Sequence, residues 1–309
     1  RKQNVIHPGE VWGPGQIMDD GCLGAEECLD TIKSAYDKAI SEGKAIGLGL
    51  GLKNSGLGNG FREVTRAVIH FRTDGLVEVR HGWTEMGQGV HTVALQVAVE
   101  ELSIDPATIR VIVDTTRQLG FGQTTGSRGT LMTAASVREA CLKANEGGRQ
   151  VGVDYMGEYV VDWTQHLGEP GVVNPTIHSA FGYAAQLVVM DKETQVIEKV
   201  VAVHDVGKAV NPTMCEGQIE GSVHMGLGYA LTEDFPSDEN GFPTNMTLRS
   251  LGIIRPKDMP PVDVIMVECP QPRSPYGIKG VGEIGLVPTA PAVAAALHAA
   301  DGIWRTRLP

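Results

Sequence analysis

K-G-V-G-E-I-G-L-V-P-T-A-P-A, residues 279–292, is the stretch on which the reading of this chain turns. Gly280, Gly282 and Gly285 satisfy the G-x-G-x-x-G spacing of dinucleotide-binding folds. In such a fold a helix starts inside the glycines and runs on unbroken into a second parallel strand. Here Pro288 and Pro291 interrupt it, and little sequence follows. What remains is one carboxylate, Glu283, held among glycines just ahead of a helix in which Thr289 is the expected cap and Pro291 lies in the first turn. Taken alone, Glu283 reads more readily as a solvated loop residue than as a catalyst.

Outward from this stretch, the 39 glycines cluster at I-G-L-G-L-G-L (46–52), S-G-L-G-N-G (55–60), E-M-G-Q-G (85–89), T-T-G-S-R-G (124–129) and E-G-Q-I-E-G (216–221). Glycine reaches positive φ without steric cost and lets backbone N–H groups approach a ligand, so the set predicts a ligand wrapped by backbone. Each cluster alone is an ordinary tight turn. Between them, apolar spacing predicts a helix over 24–42 and strands at 68–71 and 76–79 about the R-T-D-G turn. A helix over 90–102 and a strand over 108–113 follow. Strands at 184–190 and 196–203, the loop H-D-V-G-K-A-V-N-P and a helix over 214–230 repeat that plan without repeating its sequence, and a helix over 131–145 lies between. The expected fold is α+β, with two similar mixed sheet-plus-helix subdomains. The expected division is a helical lead-in at 1–46, a first subdomain at 47–146, an irregular connection at 147–178 and a second subdomain at 179–309.

Asp and Glu number 37 against 26 Lys and Arg, a formal charge of -11 that repels a phosphate backbone and argues against a nucleic-acid partner. No apolar run is long enough to span a bilayer, so no membrane partner is expected. The five cysteines are scattered without a C-x-x-C pair, so neither a disulfide framework nor a closed zinc or iron–sulfur site is suggested and a reducing, cytoplasmic setting is favoured. No histidine spacing suits a metal, and no G-x-S-x-G elbow is present. The abrupt start at R-K-Q-N-V reads as a fragment of a longer chain.

In T-E-M-G-Q-G-V-H-T (84–92) a glycine loop opens a helix whose free N–H groups and dipole make an anion site, with His91 and Thr92 in the first turn. It lacks the G-K-[ST] of a P-loop. T-T-G-S-R-G-T (124–130) places hydroxyls, glycine N–H groups and Arg128 before a second helix, again suited to an anion or to a simple cap. Gln218 either points at a polar ligand or is merely exposed.

In this order and spacing, the motifs from about Gly47 onward resemble the xanthine dehydrogenase/aldehyde oxidoreductase family of molybdenum hydroxylases, in the C-terminal molybdopterin-binding part. The wording is similar to the selenium-dependent xanthine dehydrogenase-like members. The resemblance implies molybdenum held by a pterin dithiolene, in a mononucleotide or cytosine dinucleotide form, with no side chain bonded to the metal. Glu283 matches the catalytic base, and a carboxylate held dry among glycines is a better base than one in water. Gly87, Gln88, Gly89, His91 and Thr92 match cofactor contacts, the last two nearer the phosphate. Thr125, Gly126, Ser127 and Arg128 match a second cofactor loop. Gln218 matches a glutamine that bonds the metal's oxo ligand or the pterin. The implied reaction is hydroxylation of a purine or related N-heterocycle with oxygen from water, the alternatives being a nicotinate or aldehyde hydroxylase or a noncatalytic protein on the same scaffold. The 2Fe-2S clusters and FAD are implied on other domains or subunits, and the N-terminal half of the molybdenum subunit is implied as the partner that completes the pocket. The isolated chain is expected to be inactive.

Overall fold

A computed structural model describes residues 1–120 and 124–307. In chain order the elements are α1 (Gly24–Ser41), β1 (Ala45–Ser55), β2 (Glu63–Phe71), β3 (Val77–His81), α2 (Val90–Leu102), β4 (Ile109–Val113), α3 (Gly129–Glu146), β5 (Asp154–Val161), β6 (Ala180–Met190), β7 (Ile197–Asp205), α4 (Pro212–Leu231), β8 (Val262–Val267) and α5 (Thr289–Asp301). No described helix is long and apolar enough to cross a membrane.

Two four-stranded mixed sheets result, ordered β4-β3-β2-β5 and β1-β6-β7-β8. Each is built on an antiparallel hairpin, β2-β3 or β6-β7, whose second strand is followed by a glycine loop, a helix and a strand parallel to it. The repeated plan expected from the sequence is therefore present. Its fourth strand is the difference. The first sheet takes β5 from the chain that follows, Glu63 opposite Val161, within a stretch expected to be irregular. The second takes β1 from the chain that precedes, Ala45 opposite Met190 through to Ser55 opposite Ala180. The stretch at 45–55 thus belongs to the sheet of the later half, and α1 packs its Cys28, Leu29 and Ile32 into the same core as Phe181, Tyr183 and Leu187.

I-G-L-G-L-G-L is a strand and not a ligand-wrapping loop. Its leucines Leu48, Leu50 and Leu52 pack toward α1. Its glycines face the opposite side, where α5 lies so close that a Cβ on Gly47 would stand 1.9 Å from Ala292 O and one on Gly49 2.2 Å from Pro288 O. The alternation of period two is a strand signature, and small residues on one face let a helix backbone approach the sheet. β5 follows the same logic, since a Cβ on Gly157 would meet Ala140 N at 2.2 Å on α3. α5 begins one residue earlier than a Thr289 cap requires. Pro288 holds the cap position, and the Thr289 hydroxyl instead donates to Gln186 Oε1 at 2.7 Å.

Candidate functional site

The glycine face of β1 continues, two residues at a time, through Lys53 and Ser55. Gly47, Gly49 and Gly51 lie under α5 and the Val287–Pro288 turn before it. Where the helix has ended, the face carries polar side chains, and these meet the 279–285 loop. Ser55 Oγ accepts from Gly280 N at 2.9 Å, and Lys53 Nζ stands 3.2 Å from Glu283 Oε2.

Three further contacts fix the loop that carries Glu283. Ser127 Oγ donates to Glu283 Oε2 at 2.6 Å and accepts from Glu283 N at 3.1 Å, so one hydroxyl clamps both the side chain and the backbone. Gly280 has no room for a Cβ, which would lie 2.0 Å from Ser127 O. Behind the loop, Gln186 Nε2 donates to Gly285 O at 2.7 Å and lies 3.1 Å from His204 Nε2, all buried. His204 therefore accepts at Nε2, and burial pushes its pKa down to about 3, keeping it neutral. The pocket around Glu283 is less dry than the glycine context predicts. Its side chain is 45% exposed and faces the Lys53 ammonium.

Lys279, the first residue of the motif, is ion-paired with Asp205 of H-D-V-G-K, both side chains fully buried. Lys279 Nζ also donates to Gly21 O at 2.6 Å and lies 5.2 Å from the Tyr183 ring. Burial raises the Asp205 pKa, with the Lys279 charge opposing. The pair ties the second glycine loop and the catalytic-loop candidate to the segment before α1.

The helix-start anion site at α2 is filled from within. Glu85 accepts from Gly87 N and Gly89 N at 2.9 Å each and from His91 N at 3.2 Å. Burial opposes its ionisation, yet the N–H groups of Gly89, His91 and Gly87 outweigh this and hold its pKa below the usual glutamate value. Three N–H groups of the loop and helix start expected to meet a bound anion are thus taken by the chain's own carboxylate. Gln88 straps the same loop, with Oε1 accepting from Met86 N at 2.5 Å and Nε2 donating to Thr84 O at 2.7 Å. The His91 ring lies 5.2 Å from that of His81, and the Nε2 of each is buried without a partner among the described residues.

Arg128 departs from the expected anion contact. Its guanidinium pairs with Glu63 at 2.7 Å, both side chains 1% exposed, and lies 5.2 Å from the Trp83 ring. Its neighbours stay at the surface of a cavity of about 320 Å³ that also takes in Gln88, Gln218 and Glu283. Thr125, Gly126, Ser127 and Arg128 line it as well, whereas Gly87, Gly89, His91 and Thr92 do not. Gln218 reaches it from α4, whose N-terminus Asn211 caps by accepting from Met214 N at 3.0 Å. Met214 closes the gap to the α2 loop, for a Cβ on Gly89 would stand 1.6 Å from its methyl carbon.

Sequence reading overlooked Lys53, Ser55, Glu63, Glu85, Gln186 and the Asp205–Lys279 pair. Glu85, Asp205 and Lys279 stood inside quoted motifs, where a lone charge among glycines is itself the signal of an internal partner. Ser55 opened the S-G-L-G-N-G cluster without any sign of its partner, and Lys53, Glu63 and Gln186 carried no local signal.

The sequence model of the molybdopterin cofactor-binding domain matches residues 25–162 and 148–260, most of the chain. The chain belongs to this family. Among its relatives, the gamma subunit of the 6-hydroxypseudooxynicotine dehydrogenase complex of Paenarthrobacter nicotinovorans is 28% identical over 87% of this chain and 39% of its own length. The aldehyde oxidoreductase of Megalodesulfovibrio gigas is 26% identical over 100% of this chain and 37% of its own. The crystal structure of the aldehyde oxidoreductase from Desulfovibrio desulfuricans superposes with a TM-score of 0.88 at 26% identity, over 100% of this chain and 36% of that one. The chain thus spans well under half the length of these relatives.

The cavity suits a molybdopterin. At about 320 Å³ it is at the small end of ligand sites, and beside charged groups such as Glu283 its lining carries the amides and hydroxyls of Gln88, Gln218, Thr125 and Ser127, the groups that match a pterin's ring edge. Gly129, the first residue of α3, lines it, and Gly217 lies in the second turn of α4 next to Gln218, and both have open space where a Cβ would stand. Helical φ does not demand glycine there, and each costs its helix about 1 kcal/mol relative to Ala. Bare helix backbone beside a polar cavity is what a closely held ligand requires.

Proposed function

We propose that this chain forms one side of the molybdopterin site of a molybdenum hydroxylase and that Glu283 is its catalytic base. The observation that carries this reading is the position of the Glu283 carboxylate on the cavity that the other three motifs line, clamped by Ser127. Gln88, Gln218, Thr125 and the backbone of Gly126 hold the cofactor. When bound, it supplies the redox and oxygen-transfer chemistry. Glu283 supplies the proton acceptor. Both donors that reach its carboxylate meet Oε2, which leaves Oε1 as the oxygen that takes the proton. Glu85 occupies the N–H groups of Gly87, Gly89 and His91, which leaves the side chains of His91 and Thr92 for the cofactor's phosphate.

The substrate we propose is a purine or a related N-heterocycle, whose electron-poor ring carbon is open to attack by an oxygen nucleophile. Aldehyde oxidation is the second reading, favoured by the likeness over the whole chain to two aldehyde oxidoreductases. The rest of the pocket comes from polypeptide beyond this sequence, with iron–sulfur and flavin partners carrying electrons away. Full-length protein purified with its partners separates the readings. Molybdenum at about one atom per chain with turnover of xanthine supports the first, turnover of benzaldehyde alone supports the second, and turnover of nicotinate alone marks a nicotinate hydroxylase on the same scaffold. Protein without molybdenum under ample cofactor supply contradicts both.

A further inference from the structure

Lys53 has three N–H donors and three acceptors within reach: Asn54 O at 2.9 Å, Asn54 Oδ1 at 3.1 Å and Glu283 Oε2 at 3.2 Å. The acceptors are themselves fixed. Asn54 Nδ2 donates to Gly56 O at 2.8 Å, and Gly56 N donates to Gly126 O at 2.8 Å, one residue before the Ser127 that grips Glu283 from the other side. The contacts close a ring that runs Glu283, Lys53, Asn54, Gly56, Gly126, Ser127 and back to Glu283. Three separate parts of the chain meet in it: the end of β1, the 124–128 loop and the 279–285 loop.

We infer that Lys53 is a positioning residue for Glu283, which with Ser127 locks one carboxylate oxygen so that the other is presented in a single orientation. The inference rests on Glu283 being the base. Two features separate this role from its rivals. A lysine recruiting an anionic substrate group would have donors to spare, whereas those of Lys53 are all committed within the chain. A lysine serving only to support the fold would lie in the core, whereas Lys53 is 26% exposed and its ionic partner 45% exposed. Its place follows from the strand, since a long side chain is excluded from this face of β1 while α5 covers it and is admitted at the first inward position beyond. The other cations near the cavity are engaged elsewhere: Lys279 with Asp205, Lys208 with Glu268 at 3.0 Å and Arg128 with Glu63. Lys53 is the cation that the fold commits to Glu283.

The test uses the full-length protein, first free of cofactor. The infrared carboxylate band of Glu283 is isolated as the difference between wild type and Glu283→Gln, and the same difference is taken in the Lys53→Met and Lys53→Arg backgrounds. The expected result is a band displaced toward that of a solvated glutamate in Lys53→Met and largely restored in Lys53→Arg, with melting temperature unchanged. In the loaded enzyme, assayed with whichever of xanthine, nicotinate or benzaldehyde it oxidises, Lys53→Met lowers kcat by roughly tenfold or more, the scale of a misplaced reacting group, at unchanged KM and molybdenum content. It has no further effect in Glu283→Gln. A band indifferent to Lys53→Met overturns the inference. So does a loss of molybdenum or of melting temperature that accounts for the loss of rate. Normal turnover by Glu283→Gln overturns the underlying assignment of the base, a separate outcome.

Discussion

Lys279 and Asp205 form an ion pair in which both side chains are fully buried, 74 residues apart in sequence and one contact apart in space. Lys279 opens the motif that carries Glu283, and Asp205 opens the glycine loop that precedes α4 and Gln218. The pair joins the second sheet to the candidate catalytic loop, and the backbone N–H groups of Gly207 and Cys269 satisfy the same carboxylate at 3.0 and 3.2 Å.

Breaking this pair from one side leaves a buried charge without its partner. Lys279→Met is expected to cost about 3–5 kcal/mol, and the double variant Lys279→Met/Asp205→Leu to cost clearly less, since two apolar groups leave no charge stranded. Urea unfolding of the full-length protein measures both. Equal loss in the single and double variants contradicts the account.

The glycines of β1 predict a different failure. Gly47→Ala or Gly49→Ala places a methyl group within about 2 Å of α5 backbone. Backbone cannot rotate away as a side chain does, so the expected cost is at the upper end of about 1–3 kcal/mol for overpacking. Leu50→Val on the opposite face removes one methylene group and is expected to cost about 1 kcal/mol. Comparable denaturation midpoints for the three variants would show that α5 does not press on the strand.

Much of this fold was legible because it is periodic. The helix over 90–102, both hairpins and the repeated hairpin–loop–helix plan follow from apolar spacing and turn residues. β1 and β5 were not legible as strands because their glycines are explained by helices that pack on them from distant sequence, α5 and α3. A glycine demanded by tertiary approach looks the same in sequence as one demanded by a turn. At the site, Glu283, Ser127 and Gln218 were legible through their ordered motifs, whereas Lys53 was not. Its partner lies 230 residues on, and only the end of α5 determines where a long side chain fits. Arg128 and Glu85 were legible as charges near glycine loops, but their partners, Glu63 and the chain's own N–H groups, belong to the fold.

Glu85→Gln tests the internally filled anion site. The neutral amide keeps an acceptor but gives up the charge that outweighs burial, so the 85–91 loop loosens. The expected result is a loss of about 1–2 kcal/mol with reduced molybdenum content in protein matured under equal cofactor supply. Molybdenum content at or above the wild-type level would show that the carboxylate competes with the cofactor for those N–H groups.

Two buried neutral histidines set an acid limit on stability. Burial, with a contribution from His91, pushes His81 down to about 4, and burial pushes His204 down to about 3. Between those values and the ordinary histidine pKa near 6.5, the unfolded chain binds protons that the folded chain refuses. Stability is therefore full above about pH 6.5 and falls as pH drops, by up to about 1.4 kcal/mol per pH unit for each histidine. The raised pKa of Asp205 acts in the opposite sense and softens the slope at its acid end. Unfolding midpoints measured from pH 7 to pH 5 should fall steadily, less so in His204→Gln. A flat profile contradicts neutral burial.

The central claim is that Glu283 is the base of a molybdopterin site whose cradle is shared between this chain and polypeptide beyond it. Its most direct measurement is kcat per bound molybdenum for Glu283→Gln in the assembled full-length protein, beside wild type. The expected result is a loss of at least about 10²-fold at wild-type molybdenum content, because Gln keeps the shape and the Ser127 contact but cannot take the proton. Glu283→Gln turning over at the wild-type rate per molybdenum would contradict it.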